Sequence, residues 1–179
     1  MKKTIFSILS GSVIVCSCMK NNSSQNGDVI ISNEINMEHK PLNFETTKVE
    51  NNAHTGKYYS SVDSIRSFAA GYAYVIPDSL KNKNLKVYFS AWVRENQAPL
   101  EGGVLVSLTT SKGTIGWDLF DKKKLTYTPG EWVQINDSIS YSSAKINENY
   151  AEIGVIGMKV NGNDHFDIDD IQIKYLFYK

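Results

Sequence analysis

The feature that most constrains this chain is the strict two-residue alternation of Leu85-Lys86-Val87-Tyr88-Phe89-Ser90-Ala91-Trp92-Val93-Arg94. In an extended strand successive side chains point to opposite faces, so Val87, Phe89, Ala91 and Val93 share one side. Tyr88, Ser90, Trp92 and Arg94 share the other. One side is dry and the other polar or aromatic, the pattern of a strand with a single face on a core. Val104, Val106 and Leu108 form a second set of period two, and Ile115, Trp117 and Leu119 a third. Trp132-Val133-Gln134-Ile135 follows the turn pair Pro129-Gly130, and Ala151 to Val160 is a further apolar run. Upstream lie Tyr58 to Val62 and Phe68 to Ile76, with Asn43-Phe44-Glu45 as a short first strand. Thr110 to Thr114 (with Gly113) and Asn161-Gly162-Asn163-Asp164 carry the turn chemistry that hairpins require.

No window carries a long amphipathic helix; a turn or two is expected near Pro77 to Lys81 and near Ala144 to Tyr150. A parallel sheet needs a crossover of about a dozen residues between strands, and this chain has none to give. Roughly eight short strands without intervening helices therefore predict an all-β, antiparallel two-sheet sandwich. The odd-numbered set of Val87 to Val93 would face the opposite sheet about 10 Å away. Trp117 shares its phase with Ile115 and Leu119 and is assigned to the core; Trp132 opens a strand after a tight turn and is assigned a structural role.

The last strand changes phase. Phe166 and Ile168 occupy even positions, whereas Ile171, Ile173 and Tyr175 occupy odd ones. A one-residue slip would turn a whole apolar face to water, so a bulge is expected near Asp169-Asp170. It would turn one carboxylate inward, and that carboxylate needs a partner.

The chain's 179 residues suit one domain with attachments. Its 19 basic and 19 acidic residues give a net charge of +0, which leaves no electrostatic footprint for nucleic acid. Lys2 and Lys3 precede an apolar stretch from Ile5 to Val15. At ~1.5 Å per residue this stretch falls far short of a ~30 Å hydrocarbon core, so it reads as a secretion signal and not a span. Val15-Cys16-Ser17-Cys18 resembles the lipobox of bacterial lipoproteins. That resemblance implies cleavage after Ser17 and acylation of Cys18, palmitate included. The resulting division is 1–17 signal peptide, 18–28 lipidated cysteine and tether, and 29–179 folded domain. Of the 2 cysteines, Cys16 leaves with the signal and Cys18 carries lipid, so the fold has no thiol for a disulfide or metal site. Losing Lys2 and Lys3 leaves 17 basic residues against 19 acidic ones, a mature charge near −2. Several acyl chains on one residue would hold the protein durably to a membrane. Met19 to Gly27 is polar and is expected to be a structureless tether that lets the domain stand off the bilayer.

Four segments, in this order, resemble the galactose-binding-like β-jelly-roll: Ala53-His54-Thr55-Gly56-Lys57-Tyr58, Val87 to Arg94, Gly130-Glu131-Trp132-Val133-Gln134 and Phe166-Asp167-Ile168-Asp169-Asp170-Ile171. Within that group they look most like the carbohydrate-binding modules attached to xylanases and other glycanases, and the related domains of Bacteroidota lipoproteins. The similarity covers roughly Asn43 to Lys174. It implies a jelly roll in a cell envelope, anchored to the outer membrane of a Gram-negative bacterium. It also implies a structural calcium, held by Glu45, backbone carbonyls near His54 to Lys57, and Asp170. Such an ion wants about six to eight oxygens.

Trp92 and Tyr88 lie on the strand face away from the core set. Either they form an open platform on which sugar rings stack, with Arg94 and Asp118 bonding the hydroxyls, or they lie beneath a loop as ordinary packing. The cluster Asp164, His165, Asp167, Asp169 and Asp170 reads as a hairpin tip plus a structural carboxylate. His39, His54 and His165 are scattered, no Gly-x-Ser-x-Gly elbow is present, and no glutamate pair shows glycosidase spacing. The sequence therefore predicts a non-enzymatic, lipid-anchored envelope protein that binds a glycan or another surface ligand. Its rivals are a structural or assembly lipoprotein with a protein partner, and a small polysaccharide hydrolase or lyase.

Overall fold

A computed structural model of the chain describes residues 20–23, 28–35, 38, 47–49, 52–63, 65, 67–96, 102–120, 125–159 and 165–179. Its strands are β1 (Lys20–Ser23), β2 (Val29–Ile35), β3 (Thr47–Val49), β4 (Tyr58–Val62), β5 (Phe68–Val75), β6 (Asn84–Arg94), β7 (Gly102–Thr110), β8 (Gly113–Leu119), β9 (Val133–Tyr141), β10 (Ala151–Lys159) and β11 (Phe166–Tyr178). A single turn of 3-10 helix (Asp78–Leu80) precedes β6, and a short helix α1 (Ser143–Ile146) follows β9, where the sequence places its only helical turns.

The strands form two antiparallel sheets. The 13-residue β11 is the axis of the seven-stranded sheet. One of its edges pairs with β6, which pairs with β9; the other pairs with β4 and then with β2, which carry β3 and β1 outside them. The second sheet has four strands in the order β5-β10-β7-β8. The sheets face each other as the alternation in β6 requires: Leu85, Val87, Ala91 and Val93 have no exposed surface, while the even-numbered residues between them are half-buried. Across the gap lie Val104, Val106 and Leu108 of β7 and Ala151, Ile153 and Val155 of β10, all buried. Tyr74 of β5 stacks on Tyr175 of β11 at 5.0 Å, so β5 overlies β11. At the other side the Tyr141 hydroxyl donates to Asp118 at 2.9 Å, so β8 overlies β9.

The expected phase change in β11 is present. Phe166 and Ile168 are buried, as are Ile171, Ile173 and Tyr175, and the pairing with β6 slips between Asp169 and Gln172. Asp170 takes up the slip with φ 47°, in the left-handed region that asparagine and aspartate tolerate better than most residues. The hairpin from β7 to β8 turns at Gly113, φ 107°.

Three expectations differ from the structure. A strand that the apolar pattern does not announce is β2, whose inward positions include Asn33, a polar residue that breaks the alternation begun at Ile31. Asn43 to Glu45 lies outside the described residues, as do Asn161 to Asp164 and the whole of 1–19. Within the segment read as a tether, Lys20–Ser23 pairs in register with β2, covering an edge that would otherwise show unpaired N–H and C=O groups. The strand β8 is inverted relative to the core assignment of Trp117: Ile115 and Trp117 are 44% and 52% exposed. Gly116 fills the inward position, and a Cβ there would come within 2.9 Å of the Tyr141 ring and 3.3 Å of Leu108. Close approach of the two sheets at this edge admits only a glycine, so the bulky set turns outward. Among the described residues no helix is long and apolar enough to cross a membrane.

Candidate functional site

The sequence-derived ligand residues do not form one site. Trp92 lies on the outer side of β6, as alternation requires, but His54 lies on its ring, with centroids 3.8 Å apart and planes 14° from parallel. Of the two arrangements open at that position, the structure shows the loop-covered one. Trp132 meets His54 edge-on at 6.1 Å and gives its indole N–H to the Asn52 carbonyl at 2.9 Å, in line with a structural role. Arg94 is fully engaged. Its Nε and Nη2 donate to Asp167 at 3.0 and 2.8 Å, its Nη1 to the Asn52 carbonyl at 2.9 Å, and its guanidinium lies 4.6 Å from the Trp132 ring centre. Tyr88 lies four residues from Trp92 on the same outer face, with the Lys86 and Lys174 ammonium groups 4.8 and 5.6 Å from its ring centre. Asp118 belongs to the other sheet, bound to Tyr141, and reaches none of these residues.

What gathers at this end of the seven-stranded sheet is a clamp for the loop between Asn52 and Lys57. The bulge in β11 presents two neighbouring carboxylates. Asp169, 1% exposed, accepts the N–H groups of His54 and Thr55 at 3.0 and 3.3 Å. Asp170 accepts from His54 Nδ1 at 2.8 Å and from the Thr55 hydroxyl at 2.9 Å. Burial, and secondarily the charge of Asp170, push the Asp169 carboxyl up to about 6, against the three N–H groups that favour its anion. The phase change does not turn a carboxylate into the sandwich: Asp169 pairs with Trp92 and shares its outer face, where the loop buries it and backbone N–H groups are its partners.

The described part of the implied calcium site does not fit the ion. Glu45 lies outside the described residues. The loop turns N–H groups, not carbonyls, toward the acids: His54 and Thr55 toward Asp169, Lys57 and Tyr58 toward Glu38. Asp170 is occupied by a ring nitrogen and a hydroxyl, whereas calcium needs a shell of oxygens. Among the described residues no three His, Cys, Asp or Glu side chains converge as metal ligands.

The outer face of the four-stranded sheet offers a different arrangement. Directly paired residues put Ala73, Gly154, Ser107 and Trp117 in one row across β5, β10, β7 and β8. Three small side chains make a low strip that ends at a half-exposed indole. On one side of the strip the next row contains Val75, Glu152 and Thr109. There the hydroxyls of Thr109 and Thr114 lie 3.1 Å apart, and the Tyr150 hydroxyl donates to Glu152. That bond, more than burial, pushes the Tyr150 hydroxyl up to about 12, so it remains a donor. On the other side Ile156, Leu105 and Leu119 form the opposite wall, with Leu105 fully buried. Of the six exposed large hydrophobic side chains among the described residues, Phe68, Val75, Ile115, Trp117 and Tyr150 belong to this face or its margin. Rows are two residues apart, ~6.8 Å, and neighbouring strands ~4.8 Å, so the strip is about 14 Å long and one side-chain row wide.

Hydrophobicity alone assigns Trp117 to the core and so misses this face. The available signal is its opposite phase: Gly116 and Asp118 alternate with Ile115, Trp117 and Leu119, and a glycine-aspartate set suits a tight sheet edge. Nothing in the spacing reveals that His54 covers Trp92, because that contact depends on how a loop docks.

No family model matches the chain, and no curated protein matches it in sequence. Among solved structures it is similar to the CBM22-2 xylan-binding domain of a Paenibacillus barcinonensis protein, at 17% identity, 78% coverage of this chain, 96% of that one and a TM-score of 0.49. The CBM22-1 xylan-binding domain of the same protein matches at 13% identity, 90% and 86% coverage and a TM-score of 0.43. A cyclase from Fischerella sp. TAU matches at 12% identity, 88% and 80% coverage and a TM-score of 0.42.

Proposed function

We propose that this protein is a lipid-anchored, non-catalytic glycan-binding module of the cell envelope, and that its ligand lies on the outer face of the four-stranded sheet against Trp117. The observation that carries this reading is the half-exposed indole at the end of the Ala73-Gly154-Ser107 strip. A pyranose has an apolar C–H face and a hydroxyl rim. The indole suits the first; Ser107, Thr109, Thr114 and Glu152 suit the second. A non-catalytic role is supported by the charges. Glycoside hydrolysis ordinarily needs two carboxyl groups flanking the bond, and Glu152 is the one carboxylate at the register positions of this face among the described residues. Asp167, Asp169 and Asp170 are committed to Arg94 and to the clamped loop. The anchor is supported by Lys2 and Lys3, the apolar stretch, and Val15-Cys16-Ser17-Cys18.

The apolar side chains Phe68, Val75 and Ile115 on the same face favour a second reading, a protein partner docked there. Electrophoresis of the folded domain through gels cast with xylan, β-glucan or mannan separates the two. Retardation by at least one polysaccharide, strongly reduced by Trp117→Ala, is expected. No retardation on any gel, with a protein co-purifying through Trp117, would replace the glycan by a partner protein.

A further inference from the structure

We infer that the lipid anchor is seated on one edge of the sandwich, not strung on a free tether, and that Trp117 is thereby held at the edge farthest from the membrane. This rests on the reading of Cys18 as the acylated residue.

The first part follows from β1. Lys20, Asn21, Asn22 and Ser23 pair in unbroken register with Ser32, Ile31, Ile30 and Val29. The strand β2 is itself paired along its whole length with β11, the axis of the larger sheet. Lys20 is therefore part of the sheet. Only Met19 stands between it and Cys18, and two Cα steps of 3.8 Å place Cys18 within about 7.6 Å of Lys20. A flexible chain over residues 18–28 would instead range over about 17–19 Å in every direction. The ordered pairing removes that freedom and makes the β1 edge the membrane side.

The second part follows from the layer order. Across the larger sheet the strands run β1-β2-β11-β6-β9, so β9 is about 19 Å from β1 at ~4.8 Å per strand. The smaller sheet lies over it with β5 above β11, through Tyr74 on Tyr175, and β8 above β9, through Tyr141 and Asp118. Trp117 is on β8, the edge strand of that sheet. The strip from Ala73 to Trp117 therefore runs from the anchored side outward, and its indole end is the one open to a glycan arriving from beyond the membrane surface.

The test uses the full lipidated chain in vesicles. Once Cys16 has left with the signal and Cys18 is acylated, a single introduced cysteine takes a fluorophore alone. Ser32 of β2 and Ser138 of β9 belong to one row of the same outer face, joined through Lys174 and Tyr88, and differ only in their edge. With a spin-labelled phosphatidylcholine headgroup as quencher, Ser32→Cys should be quenched at least twofold more than Ser138→Cys. Inserting twenty glycine and serine residues after Met19 should bring the two to equality. Equal quenching before the insertion would overturn the inference while leaving the anchor intact. A wild-type chain that carries no acyl mass and washes off the vesicles would overturn the anchor and this inference together. A normal quenching contrast in a chain whose glycan binding survives Trp117→Ala would uphold the edge-seated anchor and sink only the ligand site.

Discussion

Exchanging the two tryptophans Trp117 and Trp92 for alanine, one at a time, separates a platform from a clamp. A tryptophan presents at most about 250 Å². At 52% exposure Trp117 shows solvent about 130 Å² of that. A flat ligand covers one ring face, about 65 Å², and at about 25 cal/mol per Å² this contributes ~1.6 kcal/mol, roughly fifteenfold in affinity. Trp117→Ala should therefore weaken glycan binding by about one order of magnitude. Trp92 stacks on His54 at 3.8 Å and helps to hold the loop against β6 and β11. Losing that half-buried ring should cost about 2 kcal/mol, and lower the melting temperature by about 4–8 °C in a domain of this size. Its effect on affinity should stay within about twofold. Isothermal titration and differential scanning calorimetry on the same preparations give both numbers. The reasoning is refuted if Trp92→Ala abolishes binding in a domain that still melts normally, or if Trp117→Ala leaves affinity unchanged.

Three further outcomes follow from the packing. Arg94→Met leaves the Asp167 carboxylate, 3% exposed, without its guanidinium, and should destabilise the fold by about 3–5 kcal/mol in urea denaturation; a change below ~1 kcal/mol would show the pair to be dispensable. Asn33→Leu replaces a buried amide whose nitrogen and oxygen have no hydrogen-bond partner among the described residues, and should raise stability by about 1–2 kcal/mol; destabilisation would mean that the amide is satisfied, by an ordered water for example. Millimolar calcium, or its removal by EGTA, should leave the melting temperature unchanged, because Asp170 is held by His54 and Thr55. A rise of several degrees with calcium would show that these partners give way to the cation.

The parts of this structure legible in the sequence are those decided by burial under one sheet. The alternation of Leu85 to Arg94 could satisfy only one facing, and the parity change between Ile168 and Ile171 could be absorbed only by a bulge, which Asp170 supplies with φ 47°. Three things were not legible. Asn33 sits in an inward place that alternation reserves for an apolar residue, so β2 was concealed. Trp117 belongs to an edge strand, where the identity of the small residue, Gly116, decides the facing and hydrophobicity does not. The contacts of His54 with Asp169 and Asp170 join positions more than a hundred residues apart, and its stacking on Trp92 is a contact that no local pattern encodes.

The chain has 3 tryptophans, so a two-dimensional spectrum of the uniformly ¹⁵N-labelled folded domain shows three indole N–H signals, assignable by single substitution. Titration with whichever of xylan, β-glucan or mannan retards the protein, supplied as soluble oligosaccharide, should move the Trp117 signal. Those of Trp92 and of Trp132, whose N–H is bound to Asn52, should stay in place. A Trp92 signal that moves while that of Trp117 stays would put the ligand on the other sheet and contradict the account.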